Sequence, residues 1–141
     1  MATIKKFEDF ICWKEARALN KYMMNLIKEK RFNHNFRLIN QIEGSAGSIM
    51  DNIAEGFDRG GNKEFVLFLS YAKGSCAELK SQAYRAMDSG YITEIEFNYI
   101  FNSCEKIGIM IYKLMKFLKS SEIKGLKFKK EIDYTNPITN L

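Results

Sequence analysis

Few side chains in this sequence are spaced for chemistry, and the densest group lies between Asn52 and Phe65, in NIAEGFDRGGNKEF. Asn52 and Glu55 stand three apart, which places them on one face of a helix. Lys63 and Glu64 follow across the Gly60-Gly61 pair. A polar cluster of this kind could orient a substrate. The same residues also have a purely structural use, and that use is the expectation. Asn52 and Glu55 can hydrogen-bond backbone groups left open at a helix end, and Lys63 can pair with a carboxylate. Catalysis needs a placed nucleophile, acid or base, and the usual sets are absent from the sequence. There is no Glu-x-x-His pair of the di-iron bundle type, no phosphate-cradling strand-to-helix loop and no triad, since His34 is the only histidine. The chain reads as non-enzymatic, with no metal and no cofactor.

Cys12, Cys76 and Cys104 are odd in number, and no two have the spacing of a zinc knuckle or a redox pair. They read as reduced thiols filling core positions of a cytoplasmic protein. His34, between Asn33 and Asn35, reads as a solvated loop residue. The longest apolar runs, Phe65 to Leu69 and Ile107 to Tyr112, are far short of a membrane span. Lys5 and Lys6 are followed at once by Glu8 and Asp9 rather than by an apolar segment, so no secretory leader is expected.

The elements that must position these residues are helical. At 141 residues, 46% hydrophobic and 28% charged, the chain has the size of one bundle-sized core. Its single proline, Pro137, interrupts nothing before the last residues. Trp13, Ala16, Leu19 or Asn20, Met23 and Leu26 or Ile27 predict a helix over about 7–30. Ile39, Ile42, Ala46, Ile49 and Ile53 predict a second over about 36–57. Asn62 is suited to cap a third, whose seam is Phe65, Phe68 or Leu69, Ala72, Cys76, Leu79, Ala83 and Ala86. Gly90 is placed to end it. Thr93 and Glu96 form a capping box for a fourth helix. Its seam, Phe97, Ile100, Cys104, Ile107, Ile111, Leu114 and Leu118, is the most regular in the chain and runs to about Ser120. Short elbows between long helices predict an all-α, antiparallel up-down-up-down four-helix bundle over residues 1–120, with 121–141 a basic, then polar, tail without committed structure.

Two patterns fall outside the core. Gly44, Gly47, Ser48 and Asp51 form a stripe of small residues on the second helix. Glycine there costs about 1 kcal/mol against alanine, so the stripe implies close approach of another helix, from this chain or a second copy; the alternative is incidental glycines on a solvated face. Phe10, Tyr22, Leu67, Tyr71, Tyr84, Ile109, Tyr112 and Phe117 also lie off the core seams. That is more apolar surface than a monomer usually shows, and self-association would cover it.

The net charge of +5 is segregated. Residues 1–37 carry nine basic and four acidic side chains, residues 38–105 five and ten, and residues 106–141 eight and three. The bundle topology gathers Lys5, Lys6, Arg59, Lys63, Lys116, Lys119, Lys124, Lys127, Lys129 and Lys130 at one pole. Repeated around an assembly, such a pole would favour phosphate by counterion release. Glu55, Asp58, Glu64 and Glu122 lie nearby and weaken the argument.

The run from Ile42 to Leu79, with its NIAEG-to-KEF and GSCAEL segments, resembles the four-helix-bundle proteins first noticed as reading frames in intervening sequences of bacterial 23S ribosomal RNA genes. FEDFICWKEARAL (Phe7 to Leu19) and Asp88-Ser89-Gly90-Tyr91 agree in order and spacing. The resemblance covers about residues 7–120. It implies a bundle assembling as a homo-oligomeric ring, with a pentamer as the expected form. It marks Asn52, Glu55, Gly56, Gly60, Gly61, Asn62, Glu64 and Phe65 as the elbow motif. It also implies kinship with the accessory proteins of diversity-generating retroelements, whose positively charged pentamers bind nucleic acid and a reverse transcriptase. Where many relatives resemble QIRRAA, this chain has Gln41-Ile42-Glu43-Gly44-Ser45-Ala46, exchanging two positive charges for a negative charge and a glycine.

Two functional readings follow. One is a scaffold or adaptor that binds a partner protein or nucleoprotein. The other is a ring that binds RNA through its lysine-rich pole without reading sequence.

Overall fold

The computed structural model describes residues 4–123. A short 3-10 turn, Phe7–Asp9, leads into four helices: α1 Ile11–Lys28, α2 Phe36–Asp58, α3 Asn62–Asp88 and α4 Glu94–Ile123. They form an antiparallel bundle in which α2 and α3 pack on each other, α3 on α4, and α1 closes against α2 and α4. Side-chain pairs fix the directions. Glu15 on α1 meets Lys106 on α4, Tyr22 stacks on Tyr99, and Arg85 on α3 donates to Gln41 on α2.

The seams of α3 and α4 are buried at every predicted position, with Leu69 rather than Phe68 facing inward. On α2, Ile42, Ala46, Ile49 and Ile53 are buried, while Ile39 flanks the core. The expected α1 face holds at Ala16, Leu19, Met23 and Leu26 and departs only at its start, where Cys12 rather than Trp13 is buried. Cys12, Ala16, Leu19, Met23 and Leu26 form the buried stripe, and Trp13 lies at its edge, half-buried against Phe7.

Helix α1 is shorter than the apolar pattern predicts. Phe10 has an extended backbone (φ −71°, ψ 130°) and breaks the chain between the 3-10 turn and Ile11. Far from facing outward, its ring is fully buried, 5.2 Å from Phe57 and 5.6 Å from Phe65 in edge-on contact. At the other end Lys30, Asn33 and His34 all have positive φ, which carries the chain out of α1 after Lys28. Asn35 then caps α2, its side chain accepting from the Leu38 amide at 3.1 Å.

The α3 terminus is the Gly90 end expected: φ is +78°, and the Tyr91 amide reaches back to the Ala86 carbonyl at 2.9 Å. The capping box of α4 forms as expected too. Glu96 donates its amide to Thr93 Oγ1 at 3.1 Å, and the Thr93 amide donates to Glu96 Oε1 at 2.8 Å. Helix α4 continues past Ser120 to Ile123.

The Glu96 carboxylate does more than cap. Arg31, just beyond α1, donates to both of its oxygens at 2.8 and 2.6 Å, locking the α1–α2 connection to the start of α4. Burial pushes the Glu96 pKa up, but the Arg31 and Thr93 hydrogen bonds outweigh it and hold the carboxyl below its ordinary 4.5. A depressed carboxyl contributes stability above its unfolded pKa and loses it as pH falls through the folded value. Glu96→Gln is therefore expected to cost about 1–2 kcal/mol at neutral pH, within the range of a partly buried bidentate pair. In urea titrations that deficit should shrink as pH drops below 4.5. A deficit independent of pH would contradict the assignment.

Candidate functional site

The antiparallel register brings the start of the described chain, the α2–α3 elbow and the last turns of α4 to one end of the bundle. The elbow is tighter than expected. Only Gly60 takes a positive φ, +94°, while Gly61 is extended (φ −111°, ψ 147°) and itself occupies the N-cap position. Asn62 is therefore not the cap. It is the first residue of α3, and its side chain is buried with neither amide atom hydrogen-bonded. A capping side chain must point at the open N–H groups of the first turn, and Asn62 instead turns into the core.

Asn52 and Glu55 do not converge on the elbow backbone either. Asn52 Nδ2 donates back to the Ser48 carbonyl at 2.8 Å and to Ser48 Oγ at 2.9 Å, an interaction within α2. Glu55 accepts from Arg59 at 2.8 Å, one turn later. Arg59 also lies over the Phe68 ring, 4.9 Å from its centroid. The Glu55 hydrogen bond raises the Arg59 pKa. Lys63 and Glu64 are exposed, and neither forms an ion pair among the described residues. The elbow's polar residues thus serve separate local contacts.

Gly56 is the member of the motif with a steric reason. A Cβ there would lie 2.6 Å from Phe68 Cβ and 3.1 Å from Phe65 Cδ1, so α2 and α3 meet at this residue. The expected contact at Gly44 and Gly47 is absent within the chain, since a Cβ at either position would meet nothing within 4 Å. The stripe of Gly44, Gly47, Ser48 and Asp51 is therefore not packed against α3 at its glycines. Gly44 and Asp51 are exposed, Gly47 and Ser48 half-buried.

Of the lysine pole, Lys5, Lys6, Lys63, Lys116 and Lys119 are exposed and form no ion pair among the described residues, whereas Arg59 is engaged by Glu55. Lys124, Lys127, Lys129 and Lys130, with the tail over 121–141 beyond Ile123, lie outside the described residues.

The outward apolar residues divide. Leu67, Tyr71, Tyr84, Ile109 and Tyr112 are about half exposed, as expected, whereas Phe10 is core and Tyr22 and Phe117 are half-buried against it. Three exposed residues escaped the sequence reading: Phe36 (64%), Ile95 (82%) and Tyr99. Phe36 and Ile95 sit in the first turns of α2 and α4, before a seven-residue pattern gives a face to depart from. Ile109 and Tyr112 line a groove of about 340 Å³ between α3 and α4, together with Lys73, Lys80 and Glu105. Cys76 and Cys104 lie beneath it, and burial pushes both thiols up to about 12, as it does that of Cys12. All three cysteines are free and buried, the core role the sequence implies. Among the described residues no helix is long and apolar enough to cross a membrane.

No curated protein matches the chain. The family model of the 23S rRNA-intervening sequence proteins matches residues 8–113, from the 3-10 turn through most of α4, and the chain belongs to that family.

Proposed function

We propose that the protein is a non-enzymatic, homo-oligomeric helical scaffold of the cytoplasm that binds a partner protein, with a ring of five as its expected form. One observation carries this reading. Eight large apolar side chains, Phe36, Leu67, Tyr71, Tyr84, Ile95, Tyr99, Ile109 and Tyr112, stand in solvent although the core has no shortage of apolar residues. Large exposed apolar patches mark interaction surfaces. Tyrosine suits such a surface because a rigid ring covers much area with little entropy to lose. The three thiols, buried and unpaired, fit a reducing compartment.

The test is a double variant, Tyr71→Glu with Tyr112→Glu, both at exposed positions. Surface changes of this kind leave folding stability within about 0.5 kcal/mol. The expected result is unchanged helical content and a molar mass that falls to the 16.4 kDa subunit. An unchanged mass would remove these residues from the interface.

A second reading is supported by the five exposed, unpaired lysines at one pole: the assembly binds RNA through phosphate. On this reading Lys63→Glu with Lys116→Glu weakens binding of a generic RNA uniformly across sequences and flattens its salt dependence. Binding insensitive to both salt and substitution leaves the protein-partner reading alone.

A further inference from the structure

The groove between α3 and α4 pairs an apolar wall with a charge. Ile109 and Tyr112 of α4, each about half exposed, line one side, and Lys73 and Lys80 of α3 the other. Gly108 keeps it open, since a Cβ there would meet nothing within 4 Å. The two lysines differ in their partners. Lys80 is neutralised by Glu105 in an ion pair across the groove. Lys73 is exposed, lies 5.8 Å from the Tyr112 ring centroid and forms no ion pair among the described residues. The trough therefore carries one unmatched positive charge beside bare apolar surface, a pattern that fits a carboxylate flanked by large apolar side chains.

The chain carries such a segment within reach. Beyond Ile123, outside the described residues, the sequence is basic to Lys130 and then reads Glu131-Ile132-Asp133-Tyr134. Glu131 and Asp133 are the only acidic residues from 124 to 141. Tyr112 lies eleven residues before the end of α4, about 16 Å back along the helix. The eight residues from Ile123 to Glu131 extend to about 26 Å, enough to turn back and cover that length. We propose that residues 131–134 dock in the α3–α4 groove of their own subunit. An extended segment sets alternate side chains on opposite sides. Glu131 and Asp133 then face Lys73, and Ile132 and Tyr134 cover Ile109 and Tyr112. The docking needs a single subunit and does not rest on the scaffold reading; a neighbouring copy would meet Tyr112 with the segment already on it.

Carbodiimide coupling of the full-length protein tests this, because it joins an amine to a carboxylate only where the two are in contact. Digestion and mass spectrometry then identify the linked peptides. The expected product joins Lys73 to Glu131 or Asp133 in material that runs at the 16.4 kDa subunit mass on a denaturing gel. Lys80 coupled to Glu105 is the internal control for the fold. Ile132→Ser with Tyr134→Ser leaves both carboxylates in place and should lower the Lys73 product roughly tenfold, with the control unchanged. The control product without any Lys73 product would overturn the proposal. So would a Lys73 product indifferent to the double substitution, which marks a chance encounter of charges. A Lys73 product confined to the double-mass band overturns it too, and assigns the groove to the segment of a second copy. Sedimentation of the untreated protein reads the assembly independently, so either reading can fail alone.

Discussion

Replacing Phe10 with alanine is expected to destabilise the fold by about 3–5 kcal/mol, the usual cost of deleting a fully buried aromatic ring. The ring is entirely enclosed and completes a cluster with Phe57 and Phe65, which are themselves 5.8 Å apart. Phe57 is in the last turn of α2 and Phe65 in the first turns of α3, so Phe10 seals the elbow from the chain's other end. Losing it leaves a cavity where three elements meet. Phe10→Leu should recover much of the loss, because a leucine fills part of the volume with apolar atoms. Urea unfolding measures both. A Phe10→Ala loss under 1 kcal/mol would place the ring on the surface, where the periodicity of the sequence alone puts it.

Gly56→Ala is expected to cost about 2–3 kcal/mol, although alanine is the better helix former by about 1 kcal/mol. The atom it would strike, Phe68 Cβ, is bound directly to the α3 backbone and cannot swing aside as the tip of a long side chain can. Helix α3 would have to shift relative to α2, disturbing Phe65 and the aromatic cluster. Gly44→Ala is the control. Its Cβ meets only open space within the subunit, so the helix-propensity gain of up to about 1 kcal/mol should appear as added stability. Equal effects at the two positions would contradict the packing described at the elbow.

The contrast between these glycines shows where the sequence stops being legible. A glycine inside a helix signals a close approach or an open groove equally well, and only the crossing point of two helices decides. Gly44 and Gly47 carry the visible spacing pattern, but α2 touches α3 at Gly56. The seams of α3 and α4 were readable because seven-residue periodicity and a hydrophobic stripe report the same face. Capping at Thr93 and Glu96 was readable because its hydrogen bonds are local. Phe10, Trp13 and Asn62 were not, for one shared reason: each sits at or near an element end, where tertiary packing chooses the side-chain direction. Phe7, Phe10 and Ile11 fit a continuous helix well enough that nothing in their order betrays the break at Phe10.

On the proposed function the subunit works as one copy among several. Sedimentation velocity of the wild-type protein over a hundredfold range of concentration tests it most directly. The expected result is a single species whose mass is a multiple of 16.4 kDa, five copies in the expected ring, with no dissociation at the dilute end. A species of 16.4 kDa at every concentration, with Tyr71, Ile109 and Tyr112 left in water, would contradict it.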